Sequence, residues 1–199
     1  MKLAFIGGGM MGEAIIAGAI ANDVTDAGSI TVCDVSAARR KVLTTHYKVK
    51  CSTDAGATMN GADLVILAVK PQEFESAAEQ IAANLKPKQT VLSIMAGVRI
   101  ETIAGLLRHS GVIRAIPNTP ATISEGMTVW TATDSVGQAA RDTVKVLFTV
   151  LGKEIYVESE KYVDMATAVS SSGPAYVFLV MEAMIDAAVH IGLRRDKAV

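Results

Sequence analysis

The chain has 199 residues, half of them hydrophobic and a fifth charged, so a folded core is expected and intrinsic disorder is not. The net charge of −1 and an isoelectric point near 6.3 give no electrostatic case for binding nucleic acid or an anionic membrane. Only two cysteines occur, and no signal or transit peptide is expected, because strand-like sequence begins at Lys2. Free thiols in a reducing cytoplasm are therefore the expectation, and a disulfide scaffold is not.

The first element is the segment "KLAFIGGGMMGEAIIAGAI", residues 2–20. A short apolar strand enters a loop in which Gly7, Gly9 and Gly12 form G-x-G-x-x-G, and an apolar helix follows. In such a unit the first glycine makes the turn, the second admits a pyrophosphate, and the third lets the helix pack closely on the strand. The helix N-terminus then faces the phosphates with free N–H groups. We predict dinucleotide binding here, with a purely structural glycine turn as the alternative.

The second strand, "ITVCD", ends at Asp34, about where the ribose-binding acid of a dinucleotide fold lies. A carboxylate there binds a 2′-hydroxyl and repels a 2′-phosphate, which favours NADH. Ser36, Arg39 and Arg40 follow directly and could instead hold the phosphate of NADPH. The cofactor is therefore NADPH or NADH, and we predict that NADH is used at least as well as NADPH.

Strand-like and helical segments continue to alternate. Helices are expected at 36–46, from 54, at 73–85, 100–107 and 135–150, with strands at 49–51, 62–71, 90–97, 111–120, 126–133 and 153–158. This alternation predicts a doubly wound parallel sheet with helices on both faces. Ligands of such sheets bind beyond the carboxyl ends of the strands, so segments 7–12, 34–40, 68–71, 95–97 and 117–119 are the candidates. Each of the last three also has a structural alternative: a strand stop, a packing contact and a rigid turn, respectively.

From about residue 160 no strand is expected. The pattern indicates a helix, a Ser/Gly/Pro break at 170–174 and a second, long helix, with the serines as candidate helix caps. The long helix is apolar nearly all round, so it needs a second subunit or further chain to cover it. Glu182, Asp186 and His190 interrupt the apolar stretch and argue against a membrane span. Residues 1–159 are thus expected to form a dinucleotide-binding domain and residues 160–199 the start of a helical domain, with Asp196 as the N-cap of one more helix.

No metal site is expected, because the three histidines are far apart in sequence, and no nucleophile triad is apparent. A dinucleotide fold without an obvious acid–base residue is typical of reactions in which the cofactor supplies a hydride and the protein supplies orientation.

Five segments in order, "FIGGGMMGEAIIAG", "ADLVILAVKP", "SIMAGVRIETI", "RAIPNTPATISEGMT" and "SSSGPAYVFLVMEAM", resemble pyrroline-5-carboxylate reductase across essentially the whole chain. The resemblance implies reduction of 1-pyrroline-5-carboxylate to L-proline by NADPH or NADH, the last step of proline biosynthesis. It also implies a Rossmann domain followed by a helical domain, through which the chain would form a homodimer, often assembling further.

Carried over by position, the resemblance implies three groups of site residues. The pyrophosphate loop is Ile6, Gly7, Gly8, Gly9, Met10 and Met11, with Gly12 opening the helix. The local chemistry described above adds Asp34 for the ribose, with Ser36 and Arg39 beside it. The nicotinamide side is Ala68, Val69, Lys70, Pro71, Ile94, Met95, Ala96 and Asn118. The substrate pocket edge is Ser172, Gly173 and Pro174.

The family's main substrate loop is expected beyond Val199, so no catalytic residue is assigned, and residues 1–199 alone are expected to turn over little substrate. Two departures from the family pattern stand out: Met10 replaces a common polar residue, and Ser171 replaces a common glycine.

Two rival functions remain open. One is another Rossmann dehydrogenase of the β-hydroxyacid or prephenate type, which usually needs a lysine or histidine acid–base residue on its helical domain. The long helical stretch before Gly192 offers only Lys161 and His190, and neither adjoins the serine segment. The other is a dinucleotide-binding protein without catalytic activity.

Overall fold

A computed structural model describes residues 1–199, with one eight-stranded sheet at its centre. The strands are β1 (Leu3–Ile6), β2 (Ile30–Cys33), β3 (Lys50–Ser52), β4 (Leu64–Leu67), β5 (Thr90–Ser93), β6 (Val112–Ile116), β7 (Gly126–Ala132) and β8 (Gly152–Tyr156). The helices are α1 (Met10–Ala21), α2 (Ala37–Tyr47), α3 (Ala55–Met59), α4 (Pro71–Asn84), α5 (Ile100–Leu107), α6 (Gln138–Thr149), α7 (Lys161–Ala166), α8 (Gly173–His190) and α9 (Arg195–Ala198).

The sheet has the order β3-β2-β1-β4-β5-β6-β7-β8. Strands β1 to β6 are parallel, which confirms the doubly wound arrangement, and the order reverses between β1 and β4. Strand β7, whose direction the sequence did not specify, runs antiparallel to β6 and parallel to β8. Residues 117–125 are too short for the crossover of about a dozen residues that parallel neighbours require, so the chain must turn back.

Helices cover both faces of the sheet because successive strand residues point to opposite sides. In β1, Leu3 and Phe5 lie in a core shared with α1, α2 and α6, whereas Ala4 and Ile6 lie in a core shared with α3, α4 and α5. Strands β1 and β4 are buried along their whole length, as parallel strands between two helical layers must be.

The segment at 170–174 does not break the helix as the sequence predicted. Residues 161–190 form one helix of 30 residues, with a π-helical stretch at Thr167–Ser171 joining α7 to α8. The serine hydroxyls do not cap α8. The hydroxyls of Ser170 and Ser172 instead donate to the carbonyls of Ala166 and Thr167 on the preceding turn. The chain therefore stays helical, with a π-helical turn that contains one residue more than an α-helical turn.

An ion-pair cluster attaches the start of this helix to the sheet. Arg114 of β6 is 1 % exposed, and its guanidinium lies 2.7 Å from Glu160 Oε1 and 2.6 Å from Asp164 Oδ1. Glu160 also accepts the backbone N–H of Ile100, at the start of α5. Val163 is buried beside these pairs in a small apolar cluster with residues of β6 and β7. Helix α7 is thereby fixed to β6 and to the start of α5.

Beyond this attachment, α8 projects away from the sheet and does not pack against it. None of its residues is buried, and large apolar side chains are exposed on every side, including Phe178 at 57 % and Leu179 at 67 %. By length and composition alone, the helix 161–190 is also long and apolar enough to cross a membrane, since an 18-residue stretch of it has a mean hydropathy of 1.3. Gly192 ends α8 with φ +109°, as expected, but Arg194 rather than Asp196 is the N-cap of α9.

Candidate functional site

The glycine loop connects β1 to α1 at the carboxyl end of β1. The strand order reverses there, between β1 and its neighbour β4, and open α/β sheets bind their ligands at such a point. Gly7 has φ +98°, and a Cβ there would lie 2.5 Å from the carbonyl oxygen of Ala68. Only glycine therefore fits this turn. The Gly7 N–H donates to Cys33 O and the Ala68 N–H to Ile6 O, so the loop is fixed to both neighbouring strands.

The loop fits a diphosphate by three features. Gly9 is extended, at φ −66° and ψ −176°, and a Cβ on it would meet nothing within 4 Å. A Cβ on Gly12 would lie 3.1 Å from Gly7 O, so α1 packs directly on the turn. The first turn of α1 has no side-chain cap, and the first helical N–H with a partner in the chain is that of Glu13. Free N–H groups and the positive helix end thus face an open approach, which is what an anion requires.

Asp34 is held by the backbone on both oxygens. Its Oδ2 accepts the Gly8 N–H at 2.7 Å, and its Oδ1 accepts the Ser36 N–H at 2.7 Å. The Ser36 hydroxyl caps α2 by accepting the Arg39 N–H. The carboxylate is therefore oriented at the carboxyl end of β2, next to the glycine loop, in the position that suits a ribose hydroxyl.

Arg39 is bound to the glycine loop, which the sequence did not predict. Its Nε and Nη2 donate to Gly8 O at 2.8 and 2.6 Å, and Nη2 also pairs with Glu13 Oε2 at 2.6 Å. The Tyr47 hydroxyl donates to the other oxygen of Glu13 at 3.0 Å.

These contacts shift two pKa values. Burial raises the pKa of Glu13, but the hydrogen bonds from Arg39 and Tyr47 outweigh it, so this pKa lies below its ordinary value. Burial, followed by the hydrogen bond to the Glu13 carboxylate, raises the pKa of Tyr47. Both groups therefore hold the protonation states that maintain the Glu13–Arg39–Tyr47 cluster at neutral pH.

Arg40 differs from its neighbour. Its Nη1 donates to the backbone carbonyls of Asp34 and Val35, at 2.7 and 3.0 Å, and it makes no ion pair. Its guanidinium therefore has no carboxylate partner within the chain, although it contacts the backbone of Asp34.

The ends of β4 and β5 form the next part of the cleft. Ala68 and Val69 are half-buried, Lys70 is exposed at the N-cap of α4, and Pro71 is the first residue of that helix. After β5, Ile94 is half-buried and Ala96 is exposed, but the Met95 side chain is only 2 % exposed and packs in the core under α4 and α5. Of Met95, only the backbone therefore borders the cleft, because successive residues of an extended segment face opposite sides.

Asn118 joins the end of β6 to the helix 161–190. Its Nδ2 donates to Ser170 O at 3.0 Å, in the π-helical stretch, and its Oδ1 accepts the Met127 N–H of β7 at 2.9 Å. The Ser171 hydroxyl donates to Pro117 O at 3.4 Å. Ser172, Gly173 and Pro174 follow at the start of α8, half-buried. The loop at the end of β6 and the serine segment thus form one connected edge of the cleft.

Glu13, Tyr47, Arg114 and Glu160 are site or supporting residues that the sequence analysis missed. Arg114 had a detectable signal, since a charged residue within the buried run "VIRAI" requires a partner. The partners of Glu13 carried no such signal, because they lie on α2, far away in sequence. The two cysteines are free, and no three His, Cys, Asp or Glu residues are grouped so as to bind a metal.

Two family models match the chain. Residues 2–97 match the model of NADP oxidoreductase, coenzyme F420-dependent, and residues 160–199 match that of pyrroline-5-carboxylate reductase dimerisation. The pyrroline-5-carboxylate reductase of Synechocystis is 38 % identical over 195 residues, covering 98 % of this chain and 72 % of the relative.

Two solved structures are also similar. A pyrroline-5-carboxylate reductase from Coxiella burnetii, 32 % identical, superposes with a TM-score of 0.88 over 99 % of this chain and 73 % of its own. The pyrroline carboxylate reductase of Plasmodium falciparum with NADP bound, 27 % identical, has a TM-score of 0.88 over 100 % and 72 %. By identity, coverage and fold, the chain belongs to the pyrroline-5-carboxylate reductase family.

Proposed function

We propose that this protein reduces 1-pyrroline-5-carboxylate to L-proline with NADPH or NADH, as the last step of proline biosynthesis. The observation that carries the proposal is the connected edge formed by Asn118, Ser170 and Ser171, which joins the cofactor cleft to the start of α8. A dinucleotide-binding protein without a reaction has no need of such a connection. Family membership supplies the substrate, since the relatives are named for it.

The cofactor would be held by the residues of the cleft. The glycine loop and the first turn of α1 bind the diphosphate through backbone N–H groups, and Asp34 orients the ribose. The backbone around Ala68–Pro71, Ile94 and Ala96 lines the nicotinamide side. When bound, the nicotinamide supplies the hydride that the imine carbon accepts.

The chain's part in the reaction is orientation, because a protonated cyclic imine accepts a hydride readily. Asn118 uses both ends of its amide to hold its own loop, so its proposed role is to fix the position of the pocket edge. Ser172, Gly173 and Pro174 present the start of α8 to the substrate. Lys70 is exposed and makes no contact that would orient it as an acid or base.

A second copy of this chain is the proposed partner of α8, through its apolar surface. The dimerisation model matches residues 160–199, the same segment that the rest of the chain leaves uncovered. Glu182 and Asp186 lie within the helix and favour a protein partner over lipid. Assembly in the cytoplasm is consistent with the free thiols and the family's biosynthetic role.

The test is an assay of the full-length protein with 1-pyrroline-5-carboxylate as substrate, in which the oxidation of NADPH or NADH is monitored by absorbance. Proline formation dependent on that substrate, with NADPH or NADH, is the expected result. Prephenate and 3-hydroxy acids with the oxidised cofactors serve as controls for the rival dehydrogenases. Turnover of either control substrate without turnover of the imine would contradict the proposal, and cofactor binding without any turnover would favour a non-catalytic role.

A further inference from the structure

The Glu13–Arg39–Tyr47 cluster adjoins the place where NADPH and NADH differ. The two cofactors differ only by a phosphate on the adenosine ribose, which dinucleotide folds bind at the end of the second strand. In this chain that position lies beside Asp34, with Ser36, Arg39 and Arg40 directly after it. Whether NADPH is preferred therefore depends on which of these charges is available to a phosphate.

The guanidinium of Arg39 is already occupied by contacts within the chain and is therefore not free to bind a 2′-phosphate. Three hydrogen bonds fix its guanidinium against Gly8 O and Glu13, and Glu13 compensates its charge at 2.6 Å. The side chains of Arg39 and Glu13 are 30 % and 23 % exposed, so the pair is partly shielded from water and salt. Only the Nη1 group of Arg39 makes no contact within the chain.

The remaining charges at this position nearly balance. Asp34 contributes a negative charge that two backbone N–H groups orient but do not neutralise, and Arg40 contributes a positive charge that has no carboxylate partner within the chain. A 2′-phosphate would therefore meet no net positive charge, whereas a 2′-hydroxyl needs only the carboxylate as an acceptor.

We propose that Glu13 is a specificity-determining residue, which withdraws Arg39 from the 2′-phosphate and so allows NADH to compete with NADPH. Glu13 acts through Arg39 and does not itself contact the ribose. The inference rests on the proposed cofactor site, but it concerns the choice between two cofactors, which the family assignment leaves open.

The test is equilibrium binding of NADP+ and NAD+ by titration calorimetry, which does not depend on turnover. Wild-type protein should bind NAD+ at least as tightly as NADP+. Glu13→Ala should shift the ratio of the two dissociation constants about tenfold toward NADP+. Arg39, still held by Gly8 O, then carries an uncompensated charge, and a charge-assisted hydrogen bond from it to the phosphate is worth about that factor. Glu13→Gln should shift the ratio in the same direction while keeping the side-chain shape.

Three matched variants separate this effect from a general loosening of the loop. Tyr47→Phe removes a hydrogen bond from the cluster but keeps the Glu13–Arg39 pair, so the ratio should stay within twofold. Arg39→Met combined with Glu13→Ala should abolish the gain. Glu79→Gln removes a negative charge on the exposed surface of α4 and should change nothing.

The outcomes are distinct. Equal weakening of both nucleotides by Glu13→Ala, or the same shift with Tyr47→Phe, would overturn the inference and leave the cofactor site intact. Wild-type protein that binds neither nucleotide would overturn the proposed function, and this inference with it.

Discussion

Alanine substitutions at Gly7 and Gly9 should separate an effect on the free energy of unfolding from an effect on nucleotide affinity. At Gly7, an L-residue pays about 1–2 kcal/mol for the left-handed backbone. Its Cβ would also lie 2.5 Å from Ala68 O, and relieving such an overlap costs about 1–3 kcal/mol more. Gly7→Ala should therefore lose about 3 kcal/mol of unfolding free energy, which lowers the Tm by about 6–12 °C in a chain of this size.

Gly9→Ala should behave in the opposite way. Its backbone angles suit any residue, and the added methyl meets nothing within 4 Å. The unfolding free energy should stay equal or rise by about 0.4–1 kcal/mol, because alanine restricts the unfolded chain. The methyl does occupy the approach of the diphosphate, so NADP+ should bind at least tenfold more weakly, a loss of about 1.4 kcal/mol.

Thermal denaturation and nucleotide titration on the same samples check both changes. Gly105→Ala is the matched control, since its Cβ also meets nothing within 4 Å and it lies on α5, away from the cleft. It should leave nucleotide affinity unchanged. Unaltered NADP+ affinity in Gly9→Ala would refute the placement of the diphosphate on this loop.

The remaining predictions concern the cluster at α7, the pH dependence of stability, and the exposed helix. Glu160→Ala should cost about 2–3 kcal/mol in chemical denaturation, because it leaves the buried Arg114 with one carboxylate partner; a cost under 0.5 kcal/mol would contradict this role. Glu13→Gln should be less stable than wild type by about 1 kcal/mol at pH 7. Since the pKa of Glu13 is lowered from 4.5, the difference in unfolding free energy between wild type and Glu13→Gln should persist above that pH and vanish as the pH falls through the lowered value. A constant difference down to pH 2 would contradict this role of the Glu13 carboxylate. Leu179→Glu should make the protein monomeric in sedimentation velocity if wild type forms the proposed dimer, whereas an unchanged mass would exclude this face as the interface.

Much of the nucleotide-binding domain could be predicted from the sequence because its signals are local. The apolar runs, the glycine spacing and the caps Ser36 and Asp54 each lie within a few residues of the element they define. Helix α5 has the predicted bounds, Ile100–Leu107. The exposed apolar surface of α8 also followed from composition alone.

The errors arise where a distant partner decides the conformation. The serine segment contains ordinary helix-breaking residues, yet it stays helical because Asn118 and Pro117 bind its carbonyl and hydroxyl groups from the sheet. The direction of β7 depends on loop length rather than on its own residues, which would suit either pairing. The pairing of Arg39 with Glu13 could not be predicted either, because the two residues belong to different helices.

The reversal at β7 decides where the rest of the molecule can grow. Because β7 runs backward, the chain leaves β8 level with the middle of β6, where Tyr156 and Ala115 both align with Trp130. The helix 161–190 then climbs along β6 from Arg114 to Asn118 and emerges past the rim that holds the nucleotide loops. Had β7 been parallel, the same helix would descend from that rim and extend away from it. The direction of a single strand thus places the exposed apolar helix at the opening of the cleft. A partner that covers this helix would therefore also border the proposed reaction site.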